Sequence, residues 1–225
     1  MNVLVTGCSK GIGRNIVKEF LKKDNINKLY ITSRDIDNLN LDSPKIIKVH
    51  LDYLNPKWES VFLETIAENP INILINNAGY LYNGSIEDTS FSEIEKIVSV
   101  NYTGPFKLVQ ALLPNLKKGK AHIVNIGSMG GFQGSSKFPG LSLYSSSKAA
   151  LANLSECWAE ELKEFGVSSN CLALGAVDTE MLQVAFPGYK ASVSSLEISS
   201  MIVDFSLNYG KLINGKILPI SENTP

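Results

Sequence analysis

Val3-Leu4-Val5-Thr6-Gly7-Cys8-Ser9-Lys10-Gly11-Ile12-Gly13 opens on a short apolar run and turns through three glycines into a helical pattern. From Gly11 to about Lys23 the apolar residues Ile12, Ile16, Val17, Phe20 and Leu21 recur on one side of that helix. A strand that passes through a tight turn directly into a helix leaves the first helical N–H groups unpaired at the junction. Glycine permits the turn and lets an anion approach the backbone closely. The spacing is Gly-x3-Gly-x-Gly, and its place after an N-terminal strand suits the pyrophosphate of a dinucleotide. Gly7, Ser9, Lys10, Gly11, Ile12 and Gly13 are therefore candidate phosphate contacts.

Working outward, short β-branched runs alternate with longer helical patterns. Strands are expected at Lys28–Ser33, Lys45–Leu51, Ile71–Asn76, Ala121–Gly127, Val167–Leu174 and Ile217–Ile220. Helices are expected from about Pro56 to Glu68, from a capping box at Ser90 and Glu93 to about Lys118, over Leu143–Phe165 and over Leu196–Leu207. The second of these carries Asn101 and adjusts near Gly104-Pro105. Strict β-α alternation implies a parallel sheet with helices on both faces, a three-layer α/β/α arrangement. No repeat or linker breaks it, so residues 1–225 read as one domain.

The second strand bears on the choice of dinucleotide. NAD is favoured by a carboxylate near that strand's end, which binds the ribose 2′-hydroxyl. Here the chain reads Thr32-Ser33-Arg34, with no acid before Asp35. A guanidinium at Arg34 suits a 2′-phosphate by charge and by its fork of donors, and Lys10 adds a second cation. NADP(H) is expected over NAD(H).

Composition excludes several classes. With 21 Lys+Arg against 22 Asp+Glu the formal net charge is −1, so no polyanionic partner such as nucleic acid is implied. Cys8, Cys157 and Cys171 are far apart and form no CxxC pair, and there are only two histidines; neither a metal site nor a disulfide framework is expected. No apolar run approaches the ~18 residues of a membrane span or signal segment, and a cytoplasmic protein is expected.

Tyr144-Ser145-Ser146-Ser147-Lys148 sets a tyrosine and a lysine four apart, on one helical face. A free tyrosine has a pKa near ~10, too high for a base at neutral pH. An ammonium ~5 Å away at an effective dielectric of ~20 favours phenolate by roughly 3 kcal/mol, on the order of two pKa units.

The glycine loop, Asn76-Asn77-Ala78-Gly79 after the fourth strand, Asn101 in Val100-Asn101-Tyr102-Thr103-Gly104, Ser128 after the fifth strand and the Tyr144/Lys148 pair follow in that order. From Met1 to about Met181 this resembles the short-chain dehydrogenase/reductase family. The resemblance implies a Rossmann-type doubly wound sheet and an NADP(H)-dependent oxidoreductase acting on a small carbonyl or alcohol. It implies Asn101, Ser128, Tyr144 and Lys148 as the catalytic set. Tyr144 exchanges the substrate proton, Lys148 lowers the Tyr144 pKa and binds the nicotinamide ribose, Ser128 hydrogen-bonds the substrate oxygen, and Asn101 positions a water. It also implies Asp52, with Leu51, at the adenine, Asn77, Ala78 and Gly79 along the adenosine side, and Gly175, Val177 and Thr179 at the carboxamide. Gly7, Arg34, Asp52, Asn77, Ser128 and Gly175 all fall at or just beyond carboxyl ends of expected strands, where such sheets bind ligands.

Some features depart from the family pattern. Ser128 and Tyr144 are 16 positions apart, which lengthens the loop between them; Gly130, Gly131 and Gly134 suggest mobility there, and Lys137, Phe138 or Leu141 face the substrate. Leu174 stands where proline usually precedes Gly175. Only residues 182–192 remain for a substrate lid, with Phe186, Pro187 and Tyr189 as its apolar contacts. The closing glycine pair is replaced by Ser221-Glu222-Asn223-Thr224-Pro225. Leu174 and the short C-terminal region raise one alternative, a catalytically silent dinucleotide-binding regulator or scaffold; retention of Tyr144 and Lys148 argues for the enzyme. If the chain forms a homodimer or homotetramer, the helices at Ser90–Leu116 and Leu143–Phe165 are the expected interface.

Overall fold

A computed structural model describes residues 1–37 and 39–222; the end of the tail, Asn223-Thr224-Pro225, lies outside the described residues. Seven strands, β1 (Asn2–Val5), β2 (Lys28–Ser33), β3 (Ile46–His50), β4 (Ile73–Asn76), β5 (His122–Ser128), β6 (Ser168–Leu174) and β7 (Ile217–Ile220), form one sheet in the order β3-β2-β1-β4-β5-β6-β7. Every pairing is parallel. The order reverses between β1 and β4, so the crossovers after them run to opposite sides and leave a crevice at the carboxyl ends.

The strands' period of two sorts their side chains into two cores. Val3, Val5, Ile73, Ile75, Val124 and Ile126 face helices α1 (Gly11–Leu21) and α8 (Ser195–Asn208), meeting Ile16, Phe20, Ile202 and Phe205. Leu4, Leu74 and Ile123 face the opposite layer. That layer is built from α2 (Trp58–Ile66), α4 (Gly104–Ala111), α5 (Leu113–Gly119) and α6 (Ser142–Leu162), with α3 (Phe91–Val98) leading into it. A short helix, α7 (Glu180–Ala185), not expected from the sequence, overlaps the start of the expected lid at 182–192.

Three local expectations are corrected. Pro56 does not open α2: Asn55 holds a turn through its carbonyl to the Trp58 N–H (3.2 Å) and its side chain to the Lys57 N–H (3.0 Å), and the helix begins after it. The Ser90 hydroxyl caps α3 by accepting from the Glu93 N–H, but the Glu93 carboxylate accepts from the Tyr80 hydroxyl at 2.7 Å rather than returning to Ser90. A reciprocal box forms instead at Ser194 and Glu197, ahead of α8. The helix through Asn101 is also not continuous. Ser99–Thr103 widens into a π-helical turn, and at its end Gly104 has no side chain because the Tyr53 ring occupies that space.

Candidate active site

The phosphate loop is held in shape by the neighbouring strand. Gly7 (φ +70°) and Gly11 (φ +54°) take left-handed conformations open to glycine, and a Cβ on Gly7 would come to 2.7 Å from the Ala78 Cα. A Cβ on Gly13 would collide with the Gly7 carbonyl and the Asn77 amide. Asn77 donates from Nδ2 to the Thr6 and Gly7 carbonyls (2.9 and 3.0 Å), while the Asn77 and Ala78 N–H groups donate to Thr6 Oγ1 (3.0 and 2.9 Å). The first turn of α1 carries no side-chain cap and no acidic residue, so its N–H groups face the crevice.

A cavity of about 320 Å³ runs from this loop along the carboxyl ends of the strands. Gly7, Ser9, Lys10, Gly11, Ile12 and Gly13 form its floor, and Ser33, Arg34, Leu51 and Asp52 form one end. Asn77, Ala78, Gly79, Gly175, Val177 and Thr179 line it as well, together with Ser128, Tyr144 and Lys148. Arg34 and Lys10 are exposed at the rim. Ser33 is buried and its hydroxyl accepts from the Asp35 N–H at 3.1 Å. The Thr179 hydroxyl caps α7, accepting from the Leu182 N–H at 3.2 Å. Leu174, in place of the usual proline, is buried at the cavity wall.

Ser128 is the last residue of β5, and Tyr144 and Lys148 share one face of α6. Lys148 is 4% exposed, and its ammonium donates to the Ile126 carbonyl at 2.8 Å and stands 5.9 Å from the Tyr144 ring centre. Burial pulls that ammonium down to about 8. Burial pushes the half-buried Tyr144 hydroxyl up to about 12, with a hydrogen bond to Ser128 opposing the rise. Desolvation by burial is the larger of the two causes, so the hydroxyl stays above the usual tyrosine value.

Asn101 lies behind the cavity wall rather than on it. Its amide donates to the Tyr80 carbonyl (2.8 Å) and Ser147 Oγ (2.9 Å), and its Oδ1 accepts from the Tyr80 N–H (2.8 Å). Those bonds tie the segment after β4 to α6. A Cβ on Gly79 would sit 3.4 Å from Lys148 Nζ and 3.6 Å from Asn101 Oδ1, so both groups crowd the same point.

The loop after Ser128 is packed rather than loose at its start. A Cβ on Gly131 would lie 2.6 Å from the Ala149 nitrogen and 2.7 Å from the Lys148 carbonyl carbon, so glycine seats this turn against α6. Gly134 alone is open. Phe138, Leu141 and Phe186 line the cavity; Lys137, Pro187 and Tyr189 do not. Lys137 turns back onto the Phe132 carbonyl (2.8 Å) and Ser135 Oγ (2.7 Å). Sequence reasoning missed Tyr80 and Lys96, which also line the cavity. Lys96 sits 4.0 Å over the Tyr80 ring, and its helical spacing from Val100 was the available signal.

Crevice, glycine loop and topology together define a Rossmann-type α/β protein. A family model described as short chain dehydrogenase matches residues 1–190. The chain is 35% identical over 220 residues to the probable short-chain type dehydrogenase/reductase VdlC of Helicobacter pylori, covering 95% of this chain and 79% of that protein. It is 29% identical over 193 residues to the 17-beta-hydroxysteroid dehydrogenase type 1 of Homo sapiens, covering 80% of this chain and 58% of the human one. The chain thus spans little more than half the length of that relative. Among solved structures, ElxO with NADP bound superposes with a TM-score of 0.83 at 27% identity, over 98% of this chain and 96% of that one. The chain belongs to the short-chain dehydrogenase/reductase family of oxidoreductases. Among the described residues no helix is long and apolar enough to cross a membrane.

Proposed function

We propose that the protein is an NADP(H)-dependent oxidoreductase that moves a hydride between nicotinamide and a carbonyl/alcohol pair. The observation that carries this is the convergence of Ser128, Tyr144 and Lys148 on the cavity floored by Gly7–Gly13. The residues fit the dinucleotide. Two left-handed glycines and an uncapped helix start would hold the pyrophosphate, and Arg34 with Lys10 the 2′-phosphate. Ser33, Leu51, Asp52 and Asn77–Gly79 would flank the adenosine, Lys148 the nicotinamide ribose, and Gly175, Val177 and Thr179 the carboxamide. The NADP held by ElxO supports the phosphorylated form.

When bound, the reduced nicotinamide would supply the hydride to the carbonyl carbon. Tyr144 gives its hydroxyl proton to the carbonyl oxygen, which Ser128 also binds by hydrogen bond. At pH 7 a hydroxyl held near 12 is protonated and an ammonium held near 8 is mostly charged, which suits reduction. The phenolate left behind faces the ammonium 5.9 Å from its ring, worth about 3 kcal/mol at an effective dielectric of ~20. Lys148 then returns the proton. Asn101, through Tyr80 and Ser147, holds this machinery in place and orders the relay.

Residues 182–192 act as the lid of a single domain, and the protein works in the cytoplasm as a homodimer or homotetramer. The 41% exposure of Phe106, whose ring lies 6.4 Å from that of Trp158, supports an interface along α4 and α6. A monomer by sedimentation at micromolar concentration overturns that interface.

The deciding test is a titration with NADPH and NADH followed by a carbonyl panel read at the reduced-nicotinamide absorbance. Tyr144→Phe is expected to lower turnover by about 10²–10⁴-fold while NADPH affinity holds, because the lost proton acts on substrate. Retained turnover removes Tyr144 from the mechanism. Tight NADPH binding by the wild type without turnover on any carbonyl favours the silent regulator.

A further inference from the structure

The cavity is chemically divided along its length. Lys10, Arg34, Asp52 and Lys96 belong to its adenosine end, where Lys96 feels the charge of Arg34. The Glu180 carboxylate comes to 3.8 Å from a Cβ placed on Gly11, so it too sits at the phosphate loop. The lining drawn from the loop after β5, from Leu81 and from the lid is mostly apolar, with Met129, Phe138, Leu141, Leu182 and Phe186, and its polar members Ser136 and Ser145 are uncharged. Lys137, the cation nearest in sequence, is folded back on its own loop.

Three loops close over this apolar end. The Gly84 N–H donates to the Gly140 carbonyl (3.0 Å), and Asn83 Nδ2 donates to the Ala185 carbonyl (3.0 Å). The Phe138 and Phe186 rings meet edge to face at 5.0 Å, joining the loop after β5 to the lid.

We propose that the substrate is an uncharged carbonyl compound with an apolar ring or alkyl body, seated against Phe138 and Phe186 with its oxygen at Tyr144. This rests on the oxidoreductase reading and adds the substrate class. A carboxylate or phosphate seated against Phe138 and Phe186 loses its hydration and meets no cationic side chain there; the Lys148 ammonium lies on the Tyr144 side, bonded to the Ile126 carbonyl. Apolar carbon gains instead, by about fourfold in affinity per buried methylene.

The test needs no turnover. Protein loaded with NADP⁺ is titrated calorimetrically with phenyl alkyl ketones of increasing chain length and with 4-acetylbenzoate; oxidised nicotinamide and a ketone cannot exchange hydride. Affinity is expected to climb by about fourfold per methylene over the first members. The carboxylate should bind at least about tenfold more weakly than acetophenone. Phe138→Ser and Phe186→Ser should flatten the chain-length slope without changing NADP⁺ affinity. A flat wild-type series, or a carboxylate that binds as well as the ketone, overturns the proposal. Failure of NADP⁺ itself to bind overturns the oxidoreductase reading instead, and the series repeated on the protein alone still reads the cavity.

Discussion

In the function proposed above, Arg34 is the residue that would set the choice of dinucleotide. It is exposed at the end of β2, and Ser33 beside it has its hydroxyl committed to the Asp35 N–H. At an exposed site a charge pair ~4 Å apart contributes about 1 kcal/mol in water, less in salt. Replacing a cation by an anion opposite a doubly charged phosphate changes several such pairs at once, so the sum survives screening. Arg34→Asp is therefore expected to weaken NADPH by about tenfold or more while NADH holds or gains, through the ribose hydroxyl the new carboxylate would meet. Parallel fluorescence titrations check this, and an unchanged preference would return Arg34 to the solvated surface. Lys96 sets a limit on the swing, because it remains in the same cavity as a further cation.

At the scale of elements, the short turn at Met129–Gly131 joins Ser128 to α6, and Gly131 is the contact point. A methyl there would meet helix backbone at 2.6 and 2.7 Å, and backbone cannot swing aside as a side chain does. Gly131→Ala is expected to destabilise the protein by about 1–3 kcal/mol in urea unfolding. It should lower kcat more than it raises the Kd for NADPH, since the displaced turn carries Ser128 and not the phosphate loop. Unchanged stability and turnover would mean that the turn tolerates displacement. This contact also marks where the sequence stops being legible. Strand positions fall within two residues of expectation because periodicity is local, and Ser90 reads as a cap for the same reason, but α7 is not foreseen and the helix expected to Lys118 breaks at Leu112. Gly131 reads locally as a source of mobility because its partner, Ala149, is distant in sequence. The spacing of Ser90 and Glu93 predicts a box because nothing local announces the Tyr80 hydroxyl. The π-helical turn at Asn101 escaped notice likewise: the amide's three bonds reach Tyr80 and Ser147, on other elements.

For the whole molecule, the strand ends converge on one crevice, which is why the glycine loop and the Tyr144/Lys148 pair could be assigned to a common site from their order alone. The apolar end could not, because three loops far apart in the chain build it. The site has a cost to the fold in the burial of Lys148. Its pKa falls from 10.5 to about 8 on folding, a penalty of about 3 kcal/mol at neutral pH. Below pH 8 both folded and unfolded chains hold the proton and the full penalty applies. Between about 8 and 10.5 the unfolded chain alone holds it, so this lysine's contribution to stability rises with pH. The buried thiols of Cys8 and Cys171, raised to about 12 and about 11, and the Tyr144 hydroxyl, raised to about 12, act oppositely. Their stabilising contribution is complete below the unfolded values of 9 and 10 and is lost as pH rises above them. Lys148→Met removes the lysine alone. After about 1 kcal/mol for the lost bond to the Ile126 carbonyl, the variant should be more stable than the wild type by about 2 kcal/mol at pH 7. That advantage should shrink steadily toward pH 10, while turnover is lost throughout. Urea unfolding of both proteins at pH 7, 8, 9 and 10 measures the difference. A difference independent of pH would mean that Lys148 keeps an ordinary pKa in the folded chain, and the proton supply assigned to it would have to come from elsewhere.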